Sequence, residues 1–286
     1  MKRVAYLGPE GTVSEESARY FFAGKNVELV PCKMISDVFQ STANGVTDWS
    51  VIPIENTIEG SVSLHVDWLV HKVDLPIQAE WVYPSVQHLI GRKDRAGNIA
   101  KIISHPVVFP QCREFLDRYY PDIEYEHASS TAEAVRMVFE HPEQPWAAIG
   151  TRLAAEKYGL DLLRENIMDH ANNCTRFLLI GPQKIDHDPA KCYKTSILVT
   201  LPEDYPGALH QVLSAFAWRR INLSKIESRP TKKKLGSYFF FIDIEESLDS
   251  VLLPAAIQEI EAIGCQVRIL GSYPSYPYNP DPDSAL

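Results

Sequence analysis

The sequence predicts an α/β protein in two parts, the first built from two similar lobes and the second a smaller unit of different topology. Three observations carry this. Short apolar runs ending in Gly, Pro or Asn alternate with amphipathic stretches from Val4 to Gly159, the pattern of a mostly parallel sheet covered by helices. A polar, Pro-containing segment over 183–193 reads as a linker. Beyond it the order becomes strand, helix, strand, strand, helix, strand, which is the ferredoxin-like βαββαβ arrangement.

The first series opens with Val4–Leu7, a short buried strand, turned by Gly8-Pro9-Glu10-Gly11 into a helix. Thr12-Val13-Ser14-Glu15 has capping-box spacing, which makes Thr12 the N-cap, and a glycine turn opening a helix presents backbone N–H groups to anions. Val27–Val30 and Trp49–Ile54 are further strands, with a helix near Ser36–Ala43 between them. The third strand runs out into Glu55-Asn56-Thr57-Ile58-Glu59-Gly60-Ser61. Ligands of open α/β sheets sit beyond the carboxyl ends of strands, so Glu55, Asn56, Thr57 and Ser61 face a cleft or else decorate a polar loop.

Ile77–Ile90 is a long extended run that carries the chain into a second lobe. There Lys101–Ser104, Ile123–Tyr125 and Ala147–Gly150 are strands. Helices follow His105-Pro106, Ser130 and Thr151; Ser130-Thr131-Ala132-Glu133 is a second capping box. The chain then returns through Asn172-Asn173-Cys174-Thr175-Arg176 into the apolar strand Phe177–Ile180, which stops at Gly181-Pro182. Two lobes joined by two crossings make a hinged ligand site. The residues at the mouth of a buried strand are held rigidly, and there a hydroxyl, Thr175, stands beside a guanidinium, Arg176, whose planar fork fits a carboxylate. A turn leading into a core strand, with a surface arginine, is the plainer account of the same residues.

In the second part Ser196–Leu201, Ile221–Ser228, Tyr238–Ile244 and Val267–Leu270 are strands. Leu209, Val212, Leu213 and Phe216 form one helical stripe after Pro206-Gly207, and Leu253, Ala256, Ile257 and Ile260 a second. Thr231–Gly236 reads as a turn, and the Pro-rich tail from Tyr273 as loose chain. The expected division is a two-lobed domain over 1–182 (lobe 1 about 1–76 and 172–182, lobe 2 about 77–171), a linker over 183–193, a small domain over 194–274 and a tail over 275–286.

Composition narrows the function. The 286 residues carry a net charge of −9, which argues against nucleic-acid or anionic-membrane partners and requires a local cation for any anionic substrate. Five cysteines without CxxC spacing point to reduced thiols in a cytoplasmic protein. The apolar run after Met1-Lys2-Arg3 breaks at Gly8-Pro9, so no signal peptide is expected, and no run is long enough to span a membrane. No histidine pair has HxxxH spacing, so a metal site is not expected. His65 and His71 read as surface or capping residues, and Cys174 as a packed thiol with no base near it in sequence.

Together the segments Gly8-Pro9-Glu10-Gly11-Thr12, Pro53-Ile54-Glu55-Asn56, Glu59-Gly60-Ser61, Ser129-Ser130-Thr131-Ala132, Ala148-Ile149-Gly150 and Asn173-Cys174-Thr175-Arg176-Phe177 resemble the prephenate dehydratase family. Pro206-Gly207-Ala208-Leu209 and Ile226-Glu227-Ser228-Arg229-Pro230 resemble its regulatory ACT domain. Two departures show: Val107-Val108-Phe109-Pro110 follows His105-Pro106 where Gln-Ala-Leu-Ala is usual, with Gln111 in place, and Thr57 stands for a frequent Ser.

The resemblance implies a two-lobed, periplasmic-binding-protein-like catalytic domain followed by an ACT domain. The implied reaction converts prephenate to phenylpyruvate with loss of carbon dioxide and water. Ring aromatisation supplies the driving force, so no metal or cofactor is expected. Thr175 would assist the departing hydroxyl, Arg176 would hold a carboxylate, and Glu55 is the candidate proton source. Thr12, Asn56, Ser61, Gln111, Ser130, Thr131, Asn173 and Phe177 would contact substrate. The ACT domain implies L-phenylalanine as allosteric effector, held by Gly207, Ala208, Leu209, Asn222, Glu227, Ser228 and Arg229, and a homodimer or homotetramer formed through that domain. With no helical chorismate mutase segment before Val4, a single-activity form is expected. Arogenate in place of prephenate, or a non-catalytic cytosolic sensor of amino acids, stay open as alternatives.

Overall fold

The computed structural model describes residues 1–186, 192–203, 205–232 and 238–278. Residues 187–191 of the expected linker, 233–236 of the expected turn and 279–286 of the expected tail lie outside the described residues. The chain forms two compact units, Met1–Trp68 with Val82–Phe177, and Leu69–Trp81 with Leu178–Leu286.

In the first unit, lobe 1 begins with β1 (Lys2–Leu7), α1 (Val13–Phe21), β2 (Val27–Cys32), α2 (Ile35–Ala43) and β3 (Trp49–Asn56). The strands are parallel with β1 central, Val4 opposite both Leu29 and Trp49. This follows from the residues: Val4, Ala5, Val51 and Ile52 are fully buried, and Ile35, Val38, Phe39 and Thr42 bury an i, i+3, i+4, i+7 stripe of α2. A two-residue strand, β4 (Gly60–Ser61), folds back on β3 with Ser61 opposite Glu55. Helix α3 (Ser63–His71) follows. The run from Ile77 is two strands rather than one, β5 (Ile77–Pro84) and β6 (His88–Gly91), with Ser85–Gln87 between them.

Lobe 2 adds β7 (Lys101–Ser104), α4 (Val108–Gln111), α5 (Arg113–Tyr119), β8 (Glu124–His127), α6 (Thr131–Glu140), β9 (Trp146–Gly150), α7 (Arg152–Tyr158) and β10 (Asp161–Arg164). Its sheet runs β10-β6-β9-β7-β8. Apolar side chains cover both faces: Ile103, Val135, Val138, Ala148 and Ala154 on one, Leu89, Ile102, Leu116, Ala147 and Ile149 on the other. Strand β10 carries no apolar run and was not foreseen. The chain returns in β11 (Cys174–Ile180), whose first residues lie beside β3.

The second unit contains β12 (Cys192–Thr200), α8 (Ala208–Ala217), β13 (Leu223–Pro230), β14 (Tyr238–Ile244), α9 (Leu252–Ala262) and β15 (Gln266–Tyr276), the βαββαβ order expected. The strands line up as β13-β14-β12-β15, antiparallel throughout. Both helices pack on one face through Val212, Phe216, Leu253, Ala256 and Ile260, against Ile197, Ile242 and Ile244. The α8 stripe is rotated from expectation: Ala208, Val212, Ala215 and Phe216 are buried, while Leu209 and Leu213 are only partly covered. The loose tail does not begin at Tyr273 or at Ser275. Tyr273 is fully buried, and Ser275 and Tyr276 pair in parallel with Glu80 and Trp81 of β5. A buried carboxylate anchors this join, since Glu80 accepts from Ser275 Oγ at 2.6 Å and meets Lys194 Nζ at 2.7 Å. The apolar and aromatic content among those prolines outweighs their turn tendency once a strand is available to pair with.

Candidate functional site

The mouth of β11 is organised by side-chain amides. Asn56, the last residue of β3, accepts the backbone N–H groups of Ile58 at 2.8 Å and Glu59 at 3.1 Å through Oδ1. That sets the orientation of its amide and turns Nδ2 toward β11. There the two Nδ2 hydrogens serve three acceptors: Asn173 Oδ1 at 2.8 Å, Thr175 Oγ1 at 3.0 Å and the Cys174 carbonyl at 3.2 Å. Asn173 Nδ2 in turn donates to Gln111 Oε1, and Gln111 Nε2 to Glu59 Oε1, each at 3.1 Å. Every donor in this chain points the same way and it ends on a carboxylate, so the bonds polarise one another. Asn173 and Gln111 are buried, which makes a broken link expensive.

Thr57 stitches the same loops together. Its N–H donates to Cys174 O, its hydroxyl accepts from Cys174 N–H at 3.0 Å and donates to Asn172 O at 2.8 Å. A hydroxyl is what the position needs, and threonine supplies it as serine would. Thr175 Oγ1 also lies 2.8 Å from Ser85 Oγ, and both hydroxyls are buried. Ser85 is pinned by its own N–H, which donates to Asn173 O at 2.8 Å.

Arg176 is next to Thr175 in sequence, but successive side chains leave a strand on opposite faces. Each finds its own partner from the end of β3: Thr175 meets Asn56, and Arg176 Nη1 lies 3.5 Å from Glu55 Oε2. The guanidinium is well covered, its side chain 11% exposed against 37% for Glu55.

The remaining expected residues fall differently. Phe177 is 1% exposed and packs in the core, so it supports the strand and has no face to offer a substrate. Thr12 stands at the N-cap position of α1 but does not cap it; its hydroxyl donates to Leu7 O at 3.1 Å, while Glu15 accepts the Gly11 N–H at 2.6 Å. Ser130 caps α6, accepting from Glu133 N–H at 3.0 Å, and Thr131 is the first residue of that helix. Among the described residues no hydrogen bond ties Thr12, Ser130 or Thr131 to Thr175. The lobes meet through other groups: Thr151 Oγ1 donates to Gly11 O at 2.7 Å, and Leu153 N–H donates to Glu16 at 3.0 Å. Glu16, with its pKa pushed up to about 7 by burial, was not foreseen at all. Ser61 sits opposite Glu55 at the β3–β4 turn.

His65 is buried rather than at the surface, and Nδ1 lies 2.6 Å from Pro53 O, so that nitrogen carries the proton. Burial pushes the Cys174 thiol above its ordinary range, the opposite of what a nucleophile needs. A cavity of about 440 Å³ in lobe 1 is lined by Tyr6, Glu10, Glu15, Arg19, Phe22, Lys25, Val27 and Leu29. None of these belongs to the Thr175 cluster, and Glu15 and Arg19 neutralise each other at 2.6 Å.

In the second unit Gly207 opens α8 at φ +94°, a left-handed conformation costly for any residue with a Cβ. Ala208 is buried and Asn222 Nδ2 donates to Glu245 Oε2 at 2.6 Å. On the edge strand β13, Glu227 lies 3.5 Å from both Lys225 and Arg229, all three on one face, and Ser228 is exposed on the other. Glu227 and Arg229 are 17% and 16% exposed, so this is a covered charge ladder and not a freely solvated pair.

Two family models match the chain: one described as prephenate dehydratase over residues 4–185, and one described as the ACT domain over 195–264. A prephenate dehydratase of Bacillus subtilis is 42% identical over 283 residues, covering 96% of this chain and 99% of the relative. Among solved structures, a prephenate dehydratase from Arthrobacter aurescens in complex with L-Phe superposes with a TM-score of 0.85 at 33% identity, covering 95% of this chain and 89% of that one. A second, described as a novel type of quorum-quenching acylase, has a TM-score of 0.83 at 25% identity and covers 96% and 98%.

Proposed function

The chain belongs to the prephenate dehydratase family, and on that premise we propose that it removes carbon dioxide and water from prephenate to form phenylpyruvate, with Thr175 as the residue that meets the departing hydroxyl. The observation that carries the reading is the buried Thr175 hydroxyl, held by Asn56 Nδ2 at the rim of a buried strand. Loss of hydroxide is slow and loss of water is easier, so a donor aimed at the leaving oxygen lowers the barrier. A threonine hydroxyl is too weak an acid to surrender a proton outright and acts by donating a hydrogen bond or relaying a proton.

The rest of the site serves that step. Asn56, Asn173 and Gln111 hold the amide framework, and preorganised donors cost no rearrangement at the moment of reaction. Arg176 leaves β11 on the face opposite Thr175, beside Glu55 at 3.5 Å, so it braces the ends of β3 and β11 and is not assigned to the substrate carboxylate. The carboxylate that departs must sit where fewer donors stabilise its charge. Glu55, with a guanidinium 3.5 Å away, serves better as the partner that orients Arg176 than as a source of protons. In the second unit, L-phenylalanine bound near Gly207 and the β13 ladder would bias the equilibrium of the catalytic unit, and subunits would pair through this domain.

The test is direct. The purified protein is incubated with prephenate, and phenylpyruvate is read by its absorbance in alkali. Thr175→Ala should lower kcat by roughly 10²–10⁴, the span of a general acid–base contribution, with little change in KM. Turnover within a few-fold of the parent would remove Thr175 from the chemistry. The acylase-like neighbour frames a second assay, but the site does not favour that activity: among the described residues no histidine or carboxylate lies within hydrogen-bond reach of the Thr175 or Ser85 hydroxyl to activate it as a nucleophile.

A further inference from the structure

We propose that Ser85 is a positioning residue for the dehydration: its hydroxyl donates to Thr175 Oγ1 and so keeps the one Thr175 proton available for the departing hydroxyl. This rests on the role of Thr175 set out above.

The inference comes from counting protons and lone pairs. A threonine hydroxyl has one proton and two acceptor positions. Asn56 Nδ2 can only donate, and its orientation is set by the two backbone N–H groups on Oδ1, so it fills one acceptor position on Thr175 Oγ1. Two arrangements remain for the 2.8 Å contact with Ser85. If Thr175 donates to Ser85, its proton is spent and the oxygen can only accept; it then offers nothing to a leaving hydroxyl. If Ser85 donates, both acceptor positions are filled and the Thr175 proton is the one group left to point at substrate. Two donors on the oxygen also stabilise the negative charge that develops as that proton moves, which makes Thr175 a better donor. Both hydroxyls are buried, 8% and 9% exposed, so water does not readily take the place of Ser85.

The backbone is built to hold this contact. Ser85 lies just beyond β5, with Pro84 before it restricting the chain and its own N–H on Asn173 O at 2.8 Å. Asn173 therefore holds Ser85 through its carbonyl and Asn56 through its side chain. One residue sets the separation of both donors that meet Thr175. Threonine is stiff at χ1, so the oxygen they meet does not wander.

The experiment uses the full chain and steady-state assays with prephenate on Ser85→Ala, Thr175→Ala and the double variant. Ser85→Ala should lower kcat by about ten-fold or more and leave KM within about two-fold, since the lost bond acts on the leaving step and not on binding. In the Thr175→Ala background, Ser85→Ala should have no further effect, because its role runs through the missing hydroxyl. Ser85→Thr and Ser85→Val settle shape against chemistry: they match in size and differ by the hydroxyl, and their kcat values should differ by about ten-fold in favour of Thr. The proposal is overturned if Ser85→Ala keeps kcat within about two-fold, if the two single losses multiply in the double variant, or if the Thr and Val variants turn over alike. Those outcomes leave the role of Thr175 standing when Thr175→Ala alone is impaired; an unimpaired Thr175→Ala removes both.

Discussion

Glu16→Gln should make the protein more stable above neutral pH and leave it unchanged in acid. Glu16 sits on α1 and accepts the Leu153 N–H from the first turn of α7, joining lobe 1 to lobe 2. Burial raises its pKa from 4.5 to about 7; the Leu153 N–H opposes this, Glu156 and Glu15 add to it, and Arg152 offsets part. The sign follows from which state holds the proton. Below about pH 4.5 the folded and unfolded chains are both protonated there and the group is neutral in its effect. Between about 4.5 and 7 the unfolded chain releases the proton and the folded chain keeps it, so stability falls as pH rises through that window. Above 7 the folded state carries a half-buried charge. A shift of about 2.5 units at 1.36 kcal/mol each sets the full cost near 3 kcal/mol. The amide of Gln accepts the same N–H and never ionises. At pH 8 the variant should gain several °C in Tm, at about 2–4 °C per kcal/mol, and at pH 4.5 the two curves should converge. Thermal unfolding followed by circular dichroism at several pH values measures the difference, in which all other titrating groups cancel. A Tm difference independent of pH, or a variant less stable at pH 8, would show that Glu16 is charged in the folded state at no cost.

Two further outcomes follow from packing and from the amide chain. Gly150→Ala should destabilise by about 1–3 kcal/mol in urea unfolding, because a Cβ there would stand 2.8 Å from Val135 Cγ2 and 3.3 Å from Thr131 O, and a β-branched core side chain cannot swing away. Gln111→Ala should cost about 1–3 kcal/mol and lower turnover, since it leaves Asn173 Nδ2 and Glu59 Oε1 without their shared partner; an unchanged unfolding midpoint would mean that water replaces the amide.

Much of the candidate site was legible in the sequence. Asn56, Gln111, Asn173 and Thr175 stand in short segments where polar side chains interrupt or end apolar strands, and the fold brings all four into one hydrogen-bonded set. Glu59 lay inside one of those segments but carried no sign of what it would meet. Ser85 and Glu16 had no local signal: one lies inside an extended apolar run, the other on the polar-looking side of a first helical turn. Their roles depend on partners 90 and 137 residues away. Phe177 went the other way: its segment pointed to substrate, yet its ring is taken up by the core.

What the sequence alone determined is the α/β lobes, the βαββαβ unit and the family, because period, turn residues and motif order are properties of neighbours along the chain. The tertiary structure decided which donor meets which acceptor. It sent Thr175 and Arg176 to opposite faces of β11, drew Ser85 and Asn56 onto one hydroxyl, and paired Ser275 and Tyr276 with β5. The physical reason is that a hydrogen bond is settled within a few tenths of an ångström, and such distances exist only once segments remote in sequence have packed.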